Sequence, residues 1–137
     1  MKTLPLIIPY PPVLLSPNQR PHWAQKSRAK ATYRFACRVL VEEQLRWLGQ
    51  DPERELMLRS PRLLFEVCAY RAGRTPDKDN LIASLKSGLD GVADALGVDD
   101  ERFDTGRVQF ALVDRKVQQQ VLLVFSAAAP GARVANW

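Results

Sequence analysis

Eight of the fifteen acidic residues in this 137-residue chain fall between Asp77 and Asp104: Asp77, Asp79, Asp90, Asp94, Asp99, Asp100, Glu101 and Asp104. Only Lys78, Lys86 and Arg102 oppose them there, a net of −5. Carboxylate oxygens are hard donors, suited to Mg²⁺ and Ca²⁺. Asp77-Lys78-Asp79-Asn80 has the spacing that opens a calcium loop, but position five is Leu81 and no glycine follows it, so that reading fails. Mg²⁺, which keeps several waters, suits the cluster better. It binds a scissile phosphate, lowers the pKa of an attacking water and neutralises charge on the leaving oxygen. The first 41 residues are the converse: Lys2, Arg20, Lys26, Arg28, Lys30, Arg34 and Arg38 with no acid, in a chain of net charge +5. Two solvated faces would explain each run separately, whereas a cation on the acids beside a phosphate chain on the bases explains both.

The elements that must position these residues are legible from periodicity. Leu4 to Pro9 is a short strand closed by the turn Pro9-Tyr10-Pro11-Pro12. From Trp23 to Gly49, Tyr33, Ala36, Cys37, Leu40, Val41, Leu45 and Leu48 recur at helical spacing. Gln50 to Ser60 is a polar connector, and Leu63, Phe65, Val67 and Ala69 mark a strand running to about Tyr70. A second helix spans about Lys78 to Leu96. Its wheel puts Leu81, Ile82, Leu85, Leu89, Val92, Ala93 and Leu96 on one arc, and Asp79, Ala83, Lys86, Asp90 and Asp94 on the opposite one. Pro76, Asp77 and Asp79 make a sound helix start, so capping accounts for one aspartate. Val108 to Leu112 and Val121 to Phe125 are strands, expected to form a hairpin through Asp114 to Gln118. The order βαβαββ predicts an α+β fold, a small mixed sheet packed against two helices in one domain over residues 1–126. Residues 127–137 are expected to be a flexible tail, with Trp137 docked at most.

Other chemistries are poorly supported. His22 is the only histidine and sits in a loop, and Ser16, Ser84 and Ser87 have no histidine partner for serine-type hydrolysis. Cys37 and Cys68 lack metal-ligand spacing and are expected to be buried thiols. The apolar stretch Leu4–Leu15 is broken by Pro5, Pro9, Pro11 and Pro12, which argues against a signal or membrane segment and for a cytoplasmic location. Arg20, Lys26, Arg28, Lys30 and Arg34, interleaved with His22, Trp23 and Tyr33, suit phosphate contacts and base stacking. Arg71 and Arg74 lead into Asp77 and suit contact with the same phosphate, or simple neutralisation of the acids.

The run Asp77-Lys78-Asp79-Asn80-Leu81, a helix carrying Lys86, Asp90 and Asp94, and then Val98-Asp99-Asp100 resembles the signature of RusA-like Holliday-junction resolvases, small endodeoxyribonucleases of bacteriophages and prophages. Ile8-Pro9-Tyr10-Pro11-Pro12 is similar to the strand and turn that open that family, and the resemblance extends over roughly residues 4 to 125. It implies a homodimer in a bacterial host that binds four-way DNA junctions and makes paired incisions with Mg²⁺, for which Mn²⁺ is a possible substitute, and no small-molecule cofactor. The family's metal-binding aspartates map onto Asp77, Asp79 and Asp100, with Asp99 as a substitute for the last. A functional lysine six residues after the first aspartate is Ala83 here, and Lys86, one turn on, is the candidate for its phosphate-contacting role. Dimerisation is expected to use one face of the apolar strand Val121–Phe125. The alternatives are a catalytically inactive nucleic-acid-binding accessory protein of the same fold, or a nuclease acting on flaps or forks.

Overall fold

The computed structural model describes residues 2–128 of the 137. Strand β1 (Thr3–Pro9) is followed by a 3-10 turn at Val13–Leu15, the 26-residue helix α1 (Trp23–Leu48), the short helix α2 (Pro52–Leu58) and strand β2 (Leu63–Arg71). Helix α3 (Lys78–Leu96), a 3-10 turn at Asp100–Arg102, and strands β3 (Phe103–Leu112) and β4 (Gln120–Ala127) complete an α+β architecture. No helix among the described residues is long and apolar enough to cross a membrane.

The four strands are ordered β1-β4-β2-β3, with β2 and β3 parallel and the other pairs antiparallel. The expected hairpin between the last two strands is therefore corrected: β2 lies between them. The reason is visible in the side chains. β4 carries an unbroken apolar run, Val121-Leu122-Leu123-Val124-Phe125, which suits a central strand, with Val121, Leu123 and Phe125 buried on one face and Leu122 and Val124 half-buried on the other. β3 exposes Arg107, Gln109 and Leu112, which suits an edge. Parallel β2 and β3 need a crossover, and α3 supplies it.

The expected connector at Gln50–Ser60 is also corrected. Asp51 caps α2 by accepting hydrogen bonds from the Glu53 and Arg54 amides (3.0 and 3.3 Å), and Pro52 occupies the first helical position. Met57 and Arg54, which donates to the Gly49 carbonyl, are its buried residues and half-buried Leu58 packs against the core beside them, too few positions to give a readable period. The mixed sheet thus packs against three helices. The tail boundary shifts as well, since Ala127 pairs with Leu63 in the sheet; Trp137 and the rest of the expected tail lie outside the described residues.

Alternate strand residues Leu4, Leu6, Ile8, Phe65, Val67, Leu123 and Phe125 meet Tyr33, Cys37 and Val41 of α1 and Leu81, Leu85 and Val92 of α3 in one core. Phe65, Phe103 and Phe125 stack obliquely with centroids 5.0–6.1 Å apart. The outer edge of β1 is closed by Gln44, which accepts from the Ile7 amide (2.8 Å) and donates to its carbonyl (2.7 Å), so this edge offers no free peptide group there. On the opposite face of the sheet Leu64, Cys68, Leu122 and Val124 are half-buried, so Cys68 departs from the expected buried thiol. Cys37 fulfils it; burial pushes its thiol up to about 12.

Candidate functional site

The candidate residues are arrayed along α3, whose position is set by its contact with α1. Gly88 and Gly91 make that contact possible. A Cβ at Gly88 would lie 2.5 Å from the Tyr33 ring, and one at Gly91 only 2.1 Å from the Arg34 carbonyl oxygen, a backbone atom that cannot step aside. Tyr33 in turn donates to the Pro9 carbonyl (2.6 Å), pinning α1 to the end of β1. It is buried, and so does not serve the base stacking for which its place among the bases suited it. Gly97, in the left-handed region at φ 69°, closes α3 and turns the chain toward Asp99 and Asp100.

In the second half of α3 every charged residue has a partner. Lys86 Nζ lies 3.3 Å from Asp100 Oδ2 and 3.7 Å from Asp90 Oδ1. Arg34 of α1 forks onto Asp94, with Nε and Nη2 donating at 2.7 and 2.9 Å, and this lowers the Asp94 pKa. Burial raises the Asp90 pKa, helped by the adjacent Asp100 carboxyl, while the hydrogen bond shared with Asp90 and the ammonium of Lys86 lower that of Asp100. Asp99 accepts from the Glu101 amide at 2.9 Å and starts the 3-10 turn. Asp104 accepts from Arg62 on β2's approach, which holds its carboxyl below the usual range.

The N-terminal end of α3 is different. Asp77 caps the helix, accepting at 3.4 Å from the Asp79 amide, and Asp79 is exposed with no ion-pair partner among the described residues. Asp77 and Asn80 share a cleft of about 420 Å³ with Arg71, Arg74, Thr75 and Asn18. Arg71, the last residue of β2, is held by Tyr10: its Nη1 donates to the Tyr10 hydroxyl at 2.7 Å and its guanidinium lies 5.1 Å from that ring's centroid. Its Nε is enclosed and has no hydrogen-bond partner. Two arginines beside the Asp77 carboxylate form an arrangement able to hold a phosphate next to a hard oxygen ligand.

The structure thus joins Lys86 to Asp100 but does not join Asp100 or Asp99 to Asp77 and Asp79. Asp79 and Asp90 are eleven residues apart, about 16 Å along the helix axis at 1.5 Å per residue. Among the described residues no three His, Cys, Asp or Glu side chains are grouped to hold a metal ion. A Mg²⁺ site needs only one or two carboxylates when substrate phosphate and water complete it, and in that sense Asp77 and Asp79 fit the ion by donor type while Asp100 stands apart. On α1, Lys26 is half-buried, Arg20, Arg28 and Lys30 are exposed, Trp23 is 76% exposed, and Arg34 is committed to Asp94. Tyr10 escaped the sequence reading as a site residue because only the fold carries its hydroxyl to Arg71, 61 positions on.

Fold and site define a small α+β protein in which a helix with an acidic start beside two arginines packs, farther along, against a basic helix. An uncharacterized protein of Xylella fastidiosa (strain Temecula1) is 33% identical to it over 132 residues, 96% of this chain and 80% of that protein, and the chain belongs to the same family as that protein. No family model matches the sequence.

Proposed function

We propose that this protein is a Mg²⁺-dependent, structure-selective DNA endonuclease of the RusA type, cutting four-way junctions in pairs as a homodimer. The observation that carries the reading is the cleft at the start of α3, where Asp77, outside any ion pair among the described residues, adjoins Arg71 and Arg74, with exposed Asp79 two residues along the same helix start. A phosphodiester placed there meets two guanidinium groups, one of them fixed by Tyr10 and so pre-oriented before substrate arrives. Asp77 and Asp79 would hold the metal. When bound, it supplies Lewis-acid polarisation of the phosphate and an activated water. Arg20, Lys26, Arg28 and Lys30 track the backbone of the same DNA away from the cut, and exposed Trp23 offers a stacking surface. A dimer formed on the half-buried sheet face of Leu64, Leu122 and Val124 supplies the second active site that a two-fold junction requires.

Incubation with four-way, forked, flapped and linear duplex DNA, with Mg²⁺, Mn²⁺ or EDTA, tests this. Paired nicks in the junction alone, abolished by EDTA, are expected. A second reading, a junction-binding protein without cleavage, is favoured by one observation: Asp100 is occupied by Lys86 and Asp90 rather than facing Asp77. Binding without nicks under every metal condition would establish it in place of the first. Sedimentation equilibrium at micromolar protein is expected to give twice 15.5 kDa, and the monomer mass throughout would remove paired incision by a preformed dimer.

A further inference from the structure

A second cleft, of about 460 Å³, opens between the 3-10 turn at Val13–Leu15, the first turns of α1 and the middle of α3. Its volume lies within the range of about 300–1,000 Å³ usual for small-molecule pockets. Lys26 and Lys30, one helical turn apart on α1, face Lys86 of α3 across it; Lys86 is paired with Asp90 and with Asp100, so the two ammonium groups of α1 are the uncompensated charge of the cleft. Lys26 and Lys30 have no ion-pair partner among the described residues. Asp90 is already engaged by Lys86. The apolar wall is Leu15, Pro17 and Ala83. Ser87 lines the cleft too, is only 8% exposed, and its hydroxyl has no hydrogen-bond partner. The Ser87 oxygen is enclosed behind this wall rather than open to the cleft, so a ligand meets the lysines and the apolar wall.

We infer that this cleft takes a single unpaired nucleotide, its phosphate on Lys26, Lys30 and Lys86, and its sugar and base against Leu15, Pro17 and Ala83. Continuous duplex cannot enter a space of this size, whereas one nucleotide splayed from a strand can. The cleft therefore reads unpairing, which is what separates a junction or bulge from linear DNA. In this form the inference rests on the proposed DNA-binding function. A free nucleotide carries the same chemistry, and the test separates the two sources.

The test compares anisotropy binding of linear duplex and of the same duplex with a one-nucleotide bulge, together with amide shifts on titration of dTMP. Wild-type protein is expected to prefer the bulged duplex about tenfold, a difference of about 1.4 kcal/mol. Ala83→Trp, a plug at an exposed position, is expected to erase the preference while leaving duplex affinity unchanged. Equal binding of both DNAs, or a preference that survives Ala83→Trp, would overturn the inference and leave the nuclease reading standing. No DNA binding with dTMP shifts at residues 83–87 that vanish in Ala83→Trp supports the cleft as a free-nucleotide site and overturns the DNA reading. No DNA binding and no dTMP shifts overturn both.

Discussion

The two ends of α3 carry similar numbers of carboxylates and use them in opposite ways. At the C-terminal half, Asp90, Asp94 and Asp100 are tied to Lys86 and Arg34 from α3 itself and from α1. At the N-terminal end neither Asp77, which shares a cleft with Arg71 and Arg74, nor exposed Asp79 closes an ion pair among the described residues, and the one arginine with a fixed pose takes it from Tyr10, not from a carboxylate. Surface ion pairs add little stability in general, so their value in the C-terminal half lies in fixing α1 against α3 and holding Lys86 over the second cleft. Charges left unpaired at a cleft cost stability and keep affinity in reserve for a ligand. An aspartate's neighbours, rather than its presence in an acidic run, therefore decide whether it is part of the scaffold or available for chemistry.

The largest expected effect breaks that contrast at its open end. Asp77→Asn and Asp79→Asn should each lower junction cleavage at least about a hundredfold with DNA binding retained, because a charge beside the reacting phosphate is lost and no cation is removed. Asp100→Asn is the informative partner: an equal loss means that Asp100 leaves Lys86 to join the other two, and a mild loss confines chemistry to the helix start. Near-normal cleavage by both the Asp77 and Asp79 variants, measured as single-turnover rates, would remove the catalytic assignment.

Next in size is the joint that holds the two ends in place. Gly91→Ala puts a methyl 2.1 Å from the Arg34 carbonyl oxygen, an overpacking expected to cost about 1–3 kcal/mol or more. The unfolding temperature should fall by several degrees, roughly 3–5 °C per kcal/mol in a chain of this length. Because α1 and α3 then separate, the Lys26–Lys86 cleft should suffer more than the Asp77 cleft, visible as larger amide shifts around Lys86 than around Asp77.

A smaller change follows neutralisation of Lys26, Arg28 and Lys30 to alanine together. All DNA shapes should bind more weakly, with the slope of log K against log salt reduced by about 0.9 for each phosphate that the variant no longer neutralises. An unchanged slope would place the DNA surface elsewhere.

The smallest effect is a pH signature of the paired end. The carboxyls of Asp94 and Asp104 are held low by Arg34 and Arg62, so their stabilisation is present above the unfolded carboxylate value and lost as pH falls through their folded values. Burial raises Asp90, so its contribution has the opposite sign: present in acid and lost as pH rises through its raised value. Asp90→Asn should therefore raise the unfolding temperature slightly at neutral pH, the gain shrinking toward pH 4. Destabilisation at neutral pH would show that its pairing with Lys86 outweighs its burial.

The sequence by itself determined most of the local elements, α2 excepted, and the inventory of charged groups. Alternation in Leu63–Ala69, the apolar arc of Leu81–Leu96 and the start Pro76-Asp77 are short-range properties, and each element formed near the place its pattern marks. The clustering of acids after Asp77 and bases before Val41 was equally legible, because charge is read residue by residue. Strand order was not. The Val121–Phe125 run signals a central strand, but which strands flank it depends on α3 crossing over to set β3 parallel to β2, a long-range closure with no local signature. Tertiary structure alone also decided which aspartates are free. Arg34 and Asp94 are 60 positions apart and Arg71 and Tyr10 61, and their meeting rests on the backbone contact that Gly88 and Gly91 permit and on the sheet that seats β1 beside β4. Composition sets how many charges a surface holds, whereas packing decides which of them find partners, and so where a ligand can bind.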